Sequence, residues 1–160
     1  GSCAAASDTS AGASCGASAL GGGASLGRGT AHNLIAGAAS IADYWSPRIV
    51  SRLNEYEVKV VKVLGSFVFH AHDDTDELFY VLTGELRMDL SDAASPEDAE
   101  TSLFTSVPLS AGELFVVEKG RVHRPYAAAE VTLMLVEPTG VVNTGDAEES
   151  NLTAEQGLWL

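Results

Sequence analysis

Cysteine is missing from most of this 160-residue chain: both cysteines, Cys3 and Cys15, lie near its amino terminus. Residues 32–160 therefore have neither a disulfide nor a thiolate metal ligand, which favours a reducing, cytoplasmic location, although a domain without cysteine is compatible with any compartment. Long apolar runs are also missing, so no membrane-spanning segment is predicted. No segment resembles a signal peptide.

Basic residues are scarce as well. The chain has 9 Lys and Arg against 22 Asp and Glu, and a formal net charge of -13. Asp8 and Arg28 cancel within residues 1–31, so the whole net charge falls on residues 32–160. Nucleic acid and anionic membranes need a basic patch, and both are excluded as partners. A small-molecule substrate or ligand remains.

Residues 1–31 differ in composition from the rest of the chain. Gly, Ala and Ser occupy 23 of these 31 positions, and Leu20 and Leu26 are the only large apolar residues. Such a segment buries too little apolar surface to offset the entropy of ordering it. We expect residues 1–31 to be a flexible tail, and Gly1-Ser2 resembles a cloning remnant.

Strand patterns dominate after the tail. Residues 38–45 are compatible with a short helical turn, and residues 91–100 read as a polar, acidic loop. Runs rich in Val, Phe and Leu, separated by Gly-containing turns, predict strands over residues 56–69, 77–82, 85–90, 102–109, 113–118, 123–128 and 131–137. Many short strands with almost no helical periodicity indicate an all-β sandwich or barrel.

Four of these strands are apolar on both faces. A strand of this kind is normally covered on both sides, whereas one barrel has only one interior. The second cover is either the amino-terminal arm or another subunit, and we expect a homodimer. Candidate arm residues are Tyr44, Trp45, Ile49 and Val50; candidate outer-face residues are Phe67, Phe69, Leu78 and Tyr80.

Histidines and one glutamate mark the candidate site. His70 and His72 are two positions apart on a predicted strand, so they point to one face. Glu77 opens the next strand, and His123 follows a distant Gly-containing turn. Imidazole nitrogen with carboxylate oxygen suits one divalent transition metal: Fe, Mn, Ni, Co or Zn. Solvated surface histidines are the alternative.

The spacing of these residues resembles the two motifs of the cupin superfamily. The matching patterns are Gly65-x4-His70-x-His72-x4-Glu77-x6-Gly84 and Gly112-x5-Glu118-x-Gly120-x2-His123. The likeness is greatest to the small single-domain cupins and covers about residues 33–147. Glu118 stands where the second motif usually has proline, and we expect its side chain to face solvent.

The resemblance implies an antiparallel jelly-roll barrel with a metal inside it. His70, His72, Glu77 and His123 match the ligand positions of the family one by one. Residues 32–147 would form the cupin domain, and residues 148–160 a carboxy-terminal extension. By parity with the ligands, the expected barrel lining is Ser66, Val68, Phe79, Val81, Leu86 and Met88.

Three functions remain open. A metalloenzyme that acts on a small organic molecule is favoured, and oxygen-dependent oxidation is its preferred chemistry, because no general base besides Glu77 stands in the motifs. A non-catalytic module that binds a metal or metabolite is the alternative. Isomerisation of a sugar or sugar phosphate fits less well, since Lys119, Arg121 and Arg124 are the only candidate phosphate ligands. The catalytic residues are unknown.

Overall fold

A computed structural model describes residues 30–160 of the chain. The elements within it are two short helices, α1 (Leu34–Ser40) and α2 (Pro96–Ala99), and seven strands: β1 (Arg48–Leu53), β2 (Tyr56–Ser66), β3 (Glu77–Thr83), β4 (Glu85–Ser91), β5 (Phe104–Ser110), β6 (Leu114–Val117) and β7 (His123–Pro138). Neither helix is long and apolar enough to cross a membrane. The predicted tail lies outside the described residues, apart from Thr30 and Ala31.

All pairs between the named strands are antiparallel, in the order β1-β2-β7-β3-β6, and β4 pairs with both β5 and β7. Strand β7 joins the two halves: residues 123–126 pair with β4, and residues 131–138 lie between β2 and β3. It was predicted as two strands and is one. The predicted all-β jelly roll is confirmed.

Alternation along the strands builds the barrel interior. Phe79 and Val81 of β3 and Leu86 and Met88 of β4 are buried in one core cluster, as predicted. Side chains from β2, β5, β6 and β7 complete this cluster: Val61, Val63, Leu109, Val117, Ala127, Val131, Leu133 and Leu135. Burial of this apolar surface is the main stabilising term of the fold.

Part of the predicted lining is wrong, because the inward parity changes between Phe67 and His70. Phe67, predicted on the outer face, lines the interior cavity together with Val61 and Val63, although the β2–β7 register shifts between Val63 and Gly65. Ser66 is therefore exposed and Val68 half-buried. Phe69, also predicted on the outer face, is buried outside this cavity, in a cluster with Ala71, Ala99 and Val122.

A second core covers part of the outer sheet face. Ala38 and Ile41 from the α1 region pack on Val50 of β1 and Val60 of β2. Strand β1 was not predicted, and α1 begins earlier than the predicted turn. Leu160 joins this cluster, and its N–H donates to the Ile49 carbonyl at 3.0 Å. The sequence left two possibilities for covering the outer face: the amino-terminal arm or another subunit. The structure shows that the arm, together with the chain end, covers part of it.

Candidate metal centre

The structure brings His70, His72, Glu77 and His123 together inside the barrel. One side-chain atom from each lies within 4.8 Å of the others, and all four residues are buried. Backbone pairing sets the arrangement: the His70 N–H donates to His123 O at 3.0 Å, and the His123 N–H donates to His70 O at 2.9 Å. His72 follows in the loop, and Glu77 opens β3.

Backbone carbonyls orient two of the imidazoles. Nδ1 of His70 is 3.1 Å from Val68 O, and Nδ1 of His123 is 2.9 Å from Arg121 O. A carbonyl oxygen only accepts, so each Nδ1 carries the proton and each Nε2 keeps a free lone pair. This is the arrangement that metal-bound histidines commonly use.

Three buried atoms at the centre lack a hydrogen-bond partner: Nε2 of His72, Nε2 of His123 and Oε2 of Glu77. The Glu77 oxygen is 3.3 Å from His72 Nε2 and 3.4 Å from His123 Nε2. Unpaired buried polar atoms cost free energy, whereas a cation among them would satisfy all three. Three imidazoles and a carboxylate suit a divalent transition metal, so the residues fit such an ion.

The electrostatics keep the carboxylate charged. Burial opposes ionisation of Glu77, but His123 and His72 outweigh it and hold the pKa of its carboxyl well below the usual range. Burial, and then the charge of His123, lower the pKa of His70 well below its ordinary value. Burial also lowers the pKa of His72, but the adjacent Glu77 outweighs it, and the net shift is upward.

An apolar cavity adjoins the centre. Trp45, Phe67 and Phe79 supply aromatic walls, and the Trp45 and Phe67 ring centroids are 4.8 Å apart. His70, Glu77 and Asn143 are the polar residues along its wall. The free space is about 30 Å³, which one or two water molecules fill. Of the six residues expected to line the barrel, Phe79 is on the wall of this cavity.

A buried charge cluster beside the centre was not predicted. Lys59 Nζ lies 2.7 Å from Glu137 Oε1 and 3.3 Å from Glu57 Oε2. Burial, and then the nearby Glu77 charge, raise the pKa of Glu137 to about 7. Its Oε2 is buried without a hydrogen-bond partner. The sequence did contain a signal for the burial of Glu137, because alternation along β7 places it on the same face as the apolar Leu133 and Leu135.

The acidic side chains between His72 and Glu77 do not join the centre: Asp73 and Asp74 are exposed, and Asp76 accepts from the Lys119 N–H at 2.9 Å. Glu118 is exposed, as expected. Arg124, a candidate phosphate ligand, donates to Asp89 and stacks over Phe69.

A family profile for the cupin domain matches residues 58–138. The chain belongs to the cupin family. This cupin is 31% identical over 105 residues to the uncharacterized protein YdbB of Bacillus subtilis (strain 168), which covers 66% of the chain and 83% of that protein.

Solved structures share the fold of this cupin. A cupin-2 domain containing protein from Shewanella frigidimarina is 36% identical, with a TM-score of 0.58 over 67% of this chain and 93% of that one. Hydroquinone 1,2-dioxygenase from Sphingomonas sp. TTNP3, solved with 4-hydroxybenzoate bound, is 20% identical, with a TM-score of 0.53 over 68% of this chain and 73% of that one. At that identity the likeness extends to the fold alone.

Proposed function

We propose that this cupin holds one divalent transition metal through His70, His72, Glu77 and His123 and oxidises a small organic molecule with molecular oxygen. The observation that carries the proposal is the set of three buried, unpartnered donor atoms that converge beside an apolar cavity. When bound, a metal of this kind supplies Lewis-acid or redox chemistry.

The residues around the centre orient the ligands, set the charge and limit access of water. Val68 O and Arg121 O hold two imidazoles in the tautomer whose Nε2 is free. Glu77 contributes one negative charge that offsets part of the charge of a dication. The apolar walls leave room for only one or two water molecules, and this poorly hydrated surrounding strengthens electrostatic interactions within the cavity.

Sugar-phosphate isomerisation is less well supported. Arg121 pairs with Asp92, and Arg124 pairs with Asp89 and Glu100. Lys59, the buried cation nearest to the centre, is held by two glutamates. None of these basic side chains is among the residues that line the cavity in the described chain. Glu137 is a second buried carboxylate that acid-base chemistry could use, but it does not line the cavity either.

A non-catalytic metal or metabolite-binding module is the second candidate. The small cavity favours the metal-binding form of this module, because about 30 Å³ admits neither an organic substrate nor an organic metabolite unless the aromatic walls move. A catalytic site must open or rearrange to admit its substrate, whereas a metal-storage module need not.

Oxygen consumption distinguishes the two candidates. The protein is loaded with Fe(II) without air and mixed with a panel of hydroquinones, other phenols and small keto acids in an oxygen-electrode cell. The enzyme proposal predicts substrate-dependent uptake that disappears in His123→Ala. Stoichiometric metal binding without uptake on any compound of the panel would favour the binding module.

A further inference from the structure

The loop that follows β7 is hydrogen-bonded to the backbone beside His72. The Ala71 N–H donates to Asp146 Oδ1 at 2.8 Å, and the Asp146 N–H donates to Ala71 O at 3.1 Å. The His72 carbonyl accepts from the Gly120 N–H at 2.8 Å. Three hydrogen bonds thus fix three consecutive peptide units, from the one that precedes Ala71 to the one that follows His72.

Gly145 lets this loop approach closely. A Cβ at this position would overlap the Ala71 carbonyl oxygen, lie 2.9 Å from the Ala71 carbonyl carbon and lie 3.2 Å from His72 Nδ1. Its φ is +54°, a region that side-chain-bearing residues rarely adopt. Any side chain here would push the loop away from His72.

The carboxy-terminal segment braces the same loop. Asn143 Nδ2 donates to Leu152 O at 2.8 Å, and the Ala154 N–H donates to Asn143 Oδ1 at 2.8 Å. The hydroxyls of Thr144 and Thr153 are 3.2 Å apart. All of these residues follow residue 138, where the match to the cupin domain profile ends.

We infer that residues 143–154 form a clamp that sets the position of His72 in the metal centre, with Asp146 as its main positioning residue. His70 and His123 are oriented by carbonyls at Nδ1, whereas within the described chain no hydrogen bond of that kind holds His72. The His72 ring therefore depends on its backbone anchors, and metal sites tolerate little displacement of a ligand. The inference rests on the proposed metal binding.

Co(II) titration of the full chain tests it, with chelator competition for affinity and the visible spectrum for ligand geometry. Asp146→Ala removes the acceptor and should lower affinity by about tenfold, the scale of lost supporting contacts, and alter the spectrum. Asp146→Asn keeps an acceptor oxygen and should restore both. Asp74→Ala, an exposed acid in the neighbouring loop, should change neither. If Asp146→Asn behaves like Asp146→Ala, charge rather than the clamp is responsible and the inference is overturned.

A glycine pair tests the clamp without touching Asp146. Gly145→Ala should weaken Co(II) binding, whereas Gly140→Ala, at a φ of +86° with open space around it, should not. If Asp146→Ala does not fold, the comparison of Gly145→Ala with Gly140→Ala still tests the inference. Equal Co(II) binding by wild type, Asp146→Ala and Gly145→Ala overturns the clamp alone, whereas a wild type that binds no Co(II) contradicts the proposed function.

Discussion

Val68 O and Arg121 O decide which nitrogen of His70 and of His123 faces the centre. Both acceptors are backbone oxygens, so the orientation does not depend on which side chain stands at position 68 or 121. The chemical identity of the site therefore depends on the four ligand side chains. Glu77 is the one that sets its charge.

Replacing Glu77 by Gln keeps the size of the side chain and removes its charge. We expect Glu77→Gln to lower metal affinity less than the loss of a histidine does, because the amide oxygen remains a donor. Chelator competition measures the affinity of Glu77→Gln beside that of His123→Ala. A loss larger than that of the histidine variant would contradict this ranking.

Metal affinity should depend on pH through His72. Its pKa lies above the ordinary value of 6.5, and a metal ligand must be neutral. As the pH falls toward the pKa of His72, a growing fraction of this side chain is protonated. Protons then compete with the metal for His72 and lower the metal affinity. Glu77 stays ionised there because its pKa is depressed.

Equilibrium dialysis between pH 8 and pH 5 should therefore show stable affinity at the alkaline end and a decline toward the acid end, of about tenfold per pH unit for each proton displaced. Because the pKa of His72 is raised, the decline should begin at a higher pH than for an ordinary histidine. An affinity that stays constant down to pH 5 would show that His72 is not a ligand.

At the scale of elements, alternation predicted β3 and β4 closely. Strand β4 keeps one register with both neighbours, and the register shift of β3 against β7 falls at its end, between Val81 and Thr83. Alternation failed between Phe67 and His70, where the inward parity changes, and at residues 128–130, where three consecutive exposed positions interrupt the alternation of β7. Strand β1 escaped prediction because its apolar residues face α1 and the chain end rather than an alternating barrel wall. These features depend on long-range pairing that local patterns do not encode.

The four candidate ligands could be predicted because their spacing is local to two short motifs. The bond from Ala71 to Asp146 spans 75 residues, and the bond from Lys59 to Glu137 spans 78. A single sequence does not show which residues pair over such distances. Alternation along β7 could place Glu137 on the inward face, but its pairing with Lys59 and the clamp on Ala71 are visible only in the fold.

The cover formed by α1 and β1 should contribute measurably to stability. Ile41 is 5% exposed within this second core, whereas Ile35 of α1 is 52% exposed. Ile41→Ala should lower the free energy of unfolding by about 2–5 kcal/mol, since it leaves a cavity. Ile35→Ala should change it by less than about 0.5 kcal/mol. Urea unfolding compares the two, and equal losses would contradict the packing role of Ile41.

At the scale of the molecule, an outer face of the sheet stays open. Leu78 and Tyr80 of β3 are half-buried, and their register partners Val116 and Leu114 of β6 are exposed. These four side chains form one contiguous apolar patch, which is the surface where we expect the homodimer to form.

Light scattering at micromolar concentration should give twice the mass of one chain. Leu114→Asp should shift the protein toward the monomer, whereas Leu103→Asp, at the 95% exposed Leu103 outside this patch, should not. A monomeric wild type would contradict the prediction, and α1, β1 and the chain end would then be the only cover of the outer face that residues 30–160 supply.

Metal content tests the central claim most directly. Protein loaded with Fe(II), Zn(II) or Co(II) is dialysed and subjected to elemental analysis, together with His70→Ala, His72→Ala and His123→Ala. The wild type and the exposed-loop control Asp74→Asn should each retain about one metal ion per chain. Each histidine variant should lose at least about tenfold in affinity. Stoichiometric metal in all three histidine variants after dialysis would contradict the ligand assignment and the metalloenzyme proposal built on it.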